Sequence, residues 1–444
     1  MLYLPQHISR VISALSSAGF EAYAVGGAVR DMLMGAAPRD YDVATSALPD
    51  ETEAVFALER VLETGKKHGT VTLLTSDGGV EITTFRADGE YSDNRHPDAV
   101  RFVSGIDEDL ARRDFTINAM AYDGKALRDP FGGRRDIAVR TIRCVGEPER
   151  RFGEDSLRIL RGLRLASEME FAIEPETAEA MRRCRALLQN VSAERINTEL
   201  TRLLCGAGAQ RVLLQYPDVL SAVLPEIEPM VGFLQHSPWH SLDVWAHTAA
   251  VVANAPAQPV LRWAALFHDM GKPATFSLDE NGVGHFYGHA SVSRDIAVDI
   301  MHRLRFDRAS AERIELLVKR HDTPVRVERE ALKKLLRRIG AEAARQLLQL
   351  GRADNLGQSE AVRHRQAAYD AAEELLEEIL AADECFTLKK LAVNGSDALA
   401  AGLRGAQIGA ALNELLDAVV EGRAQNDRAE LLALLAHIAE GENN

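Results

Sequence analysis

The feature that most restricts the fold of this chain is a change of hydrophobic period partway along it. Up to Ile142 the apolar runs are short and β-branched, at Ala22–Val25, Thr70–Leu74, Val80–Phe85 and Val100–Val103, with helical patterns between them. From Glu154 onward a three-to-four repeat takes over: Leu157, Leu160 and Leu163 keep one stripe, and Ile314–Val318 and Leu347–Leu350 continue the pattern. A sheet-bearing start followed by amphipathic helix is an α+β arrangement, and 444 residues exceed what one core organises. Breaks fall near Gly146-Glu147-Pro148 and across Gly232–Pro238. Four parts are therefore expected: a head at residues 1–145, a helical neck at 146–231, a histidine-rich helical domain at 232–335, and a helical body and tail at 336–444. Residues 364–384 read as a long exposed helix within the last part.

Composition narrows the classes. With 27% charged and 46% hydrophobic residues and no apolar run of membrane-spanning length, the chain reads as cytoplasmic, with no membrane partner. Cys144, Cys184, Cys205 and Cys385 lie far apart without a CxxC pair, which predicts reduced, buried thiols rather than a disulfide framework. Fifty-two basic against 66 acidic residues give a net charge of −14, which argues against adhesion to nucleic acid through a globally basic surface. Local patches remain: Arg134–Arg164 holds nine arginines against five acids.

The first chemical signal is Val25-Gly26-Gly27-Ala28-Val29-Arg30-Asp31, a strand running through two glycines into a helix, followed by Arg39-Asp40-Tyr41-Asp42. Glycines there let backbone N–H groups approach a polyphosphate at a helix N-terminus. On an extended strand Asp40 and Asp42 share a face and can jointly hold hard cations such as Mg²⁺; Glu81 adds a third carboxylate if its strand is a neighbour. Further on come Arg112-Arg113-Asp114-Phe115-Thr116-Ile117-Asn118, then Glu154-Asp155 with Arg158 and Arg161, then Arg195. On one helix Asp155 and Arg158 stand three apart and share a face. Asp accepts where Arg donates, so the pair complements the Watson–Crick edges of cytosine and adenine, whereas uracil and guanine would leave mismatched polar groups costing roughly 1–3 kcal/mol each. The bland alternative is a surface ion pair.

In this order the motifs resemble those of the nucleotidyltransferase superfamily that includes DNA polymerase beta, and more closely the class II tRNA nucleotidyltransferases and bacterial poly(A) polymerases. The resemblance covers about the first 210 residues. It implies a polymerase-beta-like head followed by an all-helical neck, an HD domain and a tail. It implies Asp40 and Asp42 as catalytic metal ligands and Gly26, Gly27 and Arg30 at the triphosphate. Arg113, Asp114 and Asn118 would meet sugar and phosphate, and Asp155 and Arg158 the base, supported by Arg161 and Arg195. The implied reaction is stepwise addition of C, C and A to a tRNA 3′ end from CTP and ATP, with Mg²⁺ as cofactor and no DNA partner. The segment Arg86–Pro97 resembles the flexible loop of CCA-adding and A-adding members, and Thr64–Gly69 lacks the arginine-rich pattern of poly(A) polymerases. An A-adding enzyme or a poly(A) polymerase is the alternative within the class.

A second constellation lies downstream: His247, then Phe267-His268-Asp269-Met270-Gly271-Lys272, then His285, His289, His321 and Asp322. Imidazoles and carboxylates together suit Mn²⁺, Fe or Ni²⁺ and can activate a water for phosphoester hydrolysis. The string resembles the HD phosphohydrolase domain. That resemblance implies His247, His268 and Asp269 as metal ligands, with His289, His321 and Asp322 as further ones and a second divalent metal as cofactor. A metal-free structural HD fold is the bland alternative; the reading from a different class is a chain that is chiefly an HD phosphohydrolase or a nucleotide-sensing regulator whose head only binds.

Overall fold

A computed structural model describes residues 2–88 and 100–442. The chain forms two compact units, Met1–Glu228 with Arg303–Arg305, and Pro229–His302 with Phe306–Asn444.

In the first unit the expected β-branched runs pair into a sheet. The strands are β1 (Ala22–Val25), β2 (Asp42–Thr45), β3 (Val61–Leu62), β4 (Thr70–Thr75), β5 (Gly78–Thr84), β6 (Arg86–Asp88), β7 (Val100–Phe102), β8 (Ala121–Tyr122) and β9 (Leu127–Arg128). Seven of them form one sheet in the order β3-β4-β5-β2-β1-β8-β9, and β6 pairs with β7 in a ribbon of its own. The sheet is mixed: β2 runs antiparallel to β1 and parallel to β5. Alternation along β1 explains why it is buried throughout. Ala22 and Ala24 pack with Ile8, Val11, Val43 and Ile82 on one face, while Tyr23 and Val25 pack with Phe85, Ile106 and Leu110 on the other.

Helices follow. Leu157–Met169 buries Leu157, Leu160 and Leu163 on one stripe, as the repeat predicted, and Ala193–Leu204 buries Ile196, Leu200 and Leu203. The expectation of a single helix carrying both Asp155 and Arg158 is corrected. One helix ends at Glu154, Asp155 is extended at φ −139°, and the next begins at Leu157. Asp155 Oδ1 accepts from Leu157 N at 3.2 Å, so the aspartate offers the backbone a turn in place of a helical bond.

Among the described residues the second unit is helical, with one short hairpin, Ser277–Leu278 with Gly284–His285. Its histidine-bearing part contains the helices Val244–Asn254, Pro259–Phe267, His289–Arg303, Arg308–Arg320 and Ala341–Gly357. Asp243 and Asp307 cap two of these, accepting from Ala246 N and Ser310 N. Toward the C-terminus Leu332, Leu336, Leu376, Ile379, Leu415, Leu431 and Leu435 share one core. The helix expected to be long and exposed spans Gln366–Ala381 and buries Ala372, Leu376 and Ile379, because its apolar residues keep helical spacing among the glutamates. None of the four cysteines forms a disulfide, but Cys184 and Cys205 are only half-buried, short of the expectation. Among the described residues no helix is long and apolar enough to cross a membrane.

Candidate functional site

The glycine turn forms as its sequence requires. Gly26 has φ +70°, a conformation that disfavours side chains, and a Cβ there would lie 3.0 Å from Arg113 Nη1. The turn feeds the helix Gly27–Leu33, whose Arg30 donates to Asn118 Oδ1 at 2.8 Å and to Asp31 Oδ1 at 2.7 Å. Asn118 in turn donates to Asp114 Oδ1 at 3.2 Å, and Asp114 Oδ2 meets Arg161 at 3.0 Å. Five of the predicted residues, Gly27, Arg30, Asn118, Asp114 and Arg161, thus lie along one turn-to-neck network. Burial works to raise the Asp114 pKa, but Arg161 and Arg158 overcome it and hold the carboxyl below its ordinary value.

Asp42 begins β2, in register with Val25 on one side and Glu81 on the other. Register partners point to the same face, so Asp42 and Glu81 form an acidic edge that spacing alone left open. Asp40 lies outside the strand, exposed in the segment leading into it; the shared face expected from extended spacing is therefore not imposed by sheet pairing. Its charge still acts on Asp42. Asp42 is exposed overall and lines the arginine-rich cavity. Lost hydration pushes its pKa up, Arg113 opposes the shift and Asp40 adds to it. Clustered carboxylates that disfavour their own ionisation suit a hard divalent cation.

Arg113 is oriented from below. Asp109, fully buried, accepts from Arg112 Nη2 at 2.8 Å and from Arg113 Nη2 at 3.2 Å. At the neck end Asp155 Oδ2 pairs with Arg195 at 2.9 Å, and Arg158 donates to Glu154 at 2.8 Å and to Arg112 O at 2.9 Å. Asp155 and Arg158 therefore have different partners, yet both line one cavity of about 440 Å³ with Gly26, Gly27, Arg30, Asp42, Arg113, Asp114, Asn118 and Arg161. Arg86, Arg112, Arg164 and Arg202 line it too; the first three lie in segments the sequence marked without giving them a site role, and Arg202 was not singled out. Eight arginines and three aspartates surround this space, which suits a polyphosphate accompanied by cations. Asp40 and Arg195 are not among its lining residues. Most of the expected flexible loop, residues 89–99, lies outside the described residues.

In the helical unit the histidines converge. His247, His268 and Asp354 bring ligand atoms within 4.8 Å of one another, and Asp269, His289 and His321 form a second such group. Asp269 stands between the two: Oδ2 lies 3.1 Å from His268 Nε2, and Oδ1 lies 3.5 Å from His289 Nε2. Each imidazole is oriented by the backbone. The Nδ1 atoms of His268, His289 and His321 lie 2.7, 2.8 and 2.7 Å from the carbonyls of Ala265, Phe286 and Val318. His247 Nδ1 meets Gly357 O at 3.1 Å; a Cβ on Gly357 would stand 3.1 Å from that nitrogen. A carbonyl accepts only from a protonated Nδ1, so the backbone occupies that nitrogen and turns all four Nε2 atoms toward the centre. They also face each other, at 3.4 Å between His247 and His268 and 3.1 Å between His289 and His321. Convergent Nε2 atoms beside buried carboxylates form a donor set that would suit a divalent cation.

Burial works to raise the pKa of Asp269, but His268 and Lys272 overcome it and hold the carboxyl well below its ordinary value. Lys272 Nζ approaches Asp269 Oδ2 at 2.7 Å and donates to Gln235 at 2.8 Å. Burial, with help from Lys272 and His247, pushes His240 down to about 3, so a neutral imidazole lines the cavity over this centre. Asp354 was missed in the sequence. It stands 85 positions after Asp269 inside an ordinary amphipathic helix, and only packing of that helix against Val244–Asn254 brings it to His247 at 2.9 Å. Asp322 lies exposed in the lining of this cavity and belongs to neither ligand group. His285 pairs with Asp279 at 3.1 Å on the hairpin.

A mixed sheet with an acidic edge, a glycine turn and an arginine-lined cavity defines a nucleotidyltransferase. Residues 22–143 match the family model described as the poly A polymerase head domain, residues 170–230 one described as a probable RNA and SrmB-binding site of polymerase A, and residues 240–383 the HD domain. The chain belongs to the CCA-adding enzyme family: it is 35% identical over 432 residues to the CCA-adding enzyme of Levilactobacillus brevis, covering 95% of both chains. The CCA-adding enzyme of Geobacillus stearothermophilus is 41% identical over 261 residues, and that of Bacillus velezensis 45% over 240. Those two matches span 64% and 60% of the relatives' own length. Among solved structures, the Bacillus stearothermophilus CCA-adding enzyme in complex with CTP superposes with a TM-score of 0.75 at 29% identity, covering 99% of this chain and 98% of that one. The Thermotoga maritima CCA-adding enzyme complexed with tRNA_CCA shares the fold, at a TM-score of 0.61 and 18% identity, covering 98% and 97%. Both families represented in the chain typically use divalent metals.

Proposed function

We propose that the chain adds C, C and A stepwise to the 3′ end of tRNA from CTP and ATP, releasing pyrophosphate, without a nucleic-acid template. The observation that carries this reading is the single cavity in which Asp42, the glycine turn and the pair Asp155 and Arg158 all take part. Asp40 and Asp42, with Glu81 beside them, would hold Mg²⁺. Bound there, Mg²⁺ would lower the barrier to attack by the RNA 3′-hydroxyl on the α-phosphorus and neutralise the leaving pyrophosphate. The chain's own work is position and charge. Gly26 and Gly27 admit the phosphates to the helix N-terminus, and Arg30 and Arg113 meet them. Asp114, Asn118 and Arg161 hold the sugar in register between the turn and the neck. Arg195 fixes Asp155, and Glu154 fixes Arg158, so that acceptor and donor face the base without facing each other. That pairing supports choice of cytosine and adenine by hydrogen-bond complement.

The four-part division at residues 145, 231 and 335 belongs to the same reading, as does a cytoplasmic location. A specific observation favours a second activity beside the first. The two ligand groups about Asp269 support an HD phosphohydrolase using two divalent ions held by His247, His268, Asp269, His289, His321 and Asp354, with Asp322 at the rim. One experiment separates the readings: the purified chain is given a tRNA transcript lacking its terminus with each nucleoside triphosphate in turn. C followed by A supports CCA synthesis, and A alone on many RNAs supports an A-adding enzyme or poly(A) polymerase. No addition, with metal-dependent release of phosphate from esters, supports the hydrolase or regulator.

A further inference from the structure

Beside the histidine centre the helical unit holds a second cavity of about 340 Å³. Its walls include Leu332, Leu335, Leu347 and Leu348, an apolar surface of the kind that usually closes on itself in a core. Arg320, Arg326 and Arg338 line the same space. Lys334, also in the lining, is paired with Glu421 at 2.8 Å, whereas those three arginines make no ion pair among the described residues. Arg320 Nε is moreover buried with no hydrogen-bond partner. Arg326 and Arg338 are exposed, so the buried Arg320 Nε is the unpartnered group that the leucine walls make costly, and an anion with an apolar body entering the cavity accounts for it. His321, Thr323, Pro324 and Tyr369 line both this cavity and the one over the histidines, so an occupant of the first reaches the second at its His321 edge.

We propose that this cavity receives the apolar ring of an organic phosphate ester whose phosphate lies at the His321 edge. Guanidinium planes and the Tyr369 ring favour a flat ring over a flexible chain. The assignment of a phosphate at that edge rests on reading the histidine groups as a metal phosphohydrolase; the binding itself requires only the cavity.

The test is calorimetric titration of the full-length chain, stripped of metal with EDTA, with 1-naphthyl phosphate, inorganic phosphate and 1-naphthol as separate probes. The ester should bind at least about tenfold more tightly than either fragment, and Ala331→Phe, which fills the cavity from a half-buried wall position, should remove that advantage at an unchanged Tm. If Ala331→Phe lowers Tm, the exposed Arg338→Glu replaces it and should weaken the ester by about tenfold. Equal binding of the ester and either fragment, or an ester affinity that survives both substitutions, overturns the proposal. Hydrolysis with Mn²⁺ separates the two layers. If methyl phosphate is split into methanol and phosphate while the naphthyl ester gains nothing, the cavity falls and the hydrolase stands. If the naphthyl ester binds as stated but neither ester is hydrolysed, the cavity stands and the hydrolase falls.

Discussion

The cavity of the first unit surrounds its space with eight arginines and takes in Asp42, which is exposed and in register with the exposed Glu81 on the next strand. The histidine centre of the second unit buries His247, His268 and Asp269 and brings one lysine, Lys272, onto its central carboxylate. Both arrangements suit divalent cations and phosphates, but they place the cost differently. In the first, guanidinium groups would carry the phosphate charge, and a cation would relieve the Asp42 carboxylate, whose ionisation lost hydration and Asp40 disfavour. In the second, backbone carbonyls have already fixed the imidazoles, so a cation would find its ligands assembled. A site that must turn over a charged substrate is built from guanidinium and open carboxylate, and a site that must retain a metal from buried, pre-oriented imidazole.

The sharpest way to break this contrast is Asp42→Ala. Nucleotide addition to a tRNA transcript should fall by at least about 10³-fold, while Mn²⁺ uptake by the histidine centre stays at the wild-type level by calorimetry. The converse is His268→Ala, which should weaken Mn²⁺ binding by about 10–100-fold and leave addition intact. Loss of both properties in either variant would show that the two centres do not work independently. Arg158→Ala should reduce discrimination against UTP and GTP by about tenfold in single-nucleotide assays, with tRNA affinity in filter binding little changed.

Two smaller effects run in opposite directions within the first cavity. The Asp114 carboxyl is held below its ordinary 3.8, so its contribution to stability is present above that value and is lost as pH falls through the folded-state pKa. Asp114→Asn should therefore lower Tm at pH 7 by about 3–5 °C, and the difference from wild type should close in acid below 3.8. Asp42 has the opposite sign. Its raised pKa contributes stability that is fully present below 3.8 and is lost as pH rises through the higher folded-state value. Asp42→Asn, which removes a charge the fold disfavours, should raise Tm slightly at pH 7 in metal-free buffer while abolishing addition.

Much of this was legible because local chemistry leaves local marks. The glycine turn, Asp42, the Arg112-Arg113-Asp114 run and the His268-Asp269 pair each act through backbone or neighbours within a few residues. The strand at Ala22–Val25 has the bounds its β-branched run predicted, and Leu157, Leu160 and Leu163 share a buried stripe. What was misread depended on a helix boundary. Asp155-Ser156 directly before an apolar run is a helix-start signal, and reading it as such would have placed Asp155 outside the helix that carries Arg158. What was missed depended on distance in sequence. Asp354, Arg202 and the pairing of Asp155 with Arg195 are created by packing between helices, and no spacing rule within one segment announces them. The acidic edge of Asp42 and Glu81 likewise required the β2–β5 register.

Three of the four histidines tie Nδ1 to the carbonyl three residues earlier, and two of them, His268 and His321, stand at the C-caps of their helices. The same imidazole that would offer a lone pair to a metal therefore also finishes a helix. Replacing it would remove a candidate ligand and fray an end in one stroke, so these residues serve the helix ends whether or not a metal is bound. Their presence in a sequence is a record of architecture first and of chemistry second.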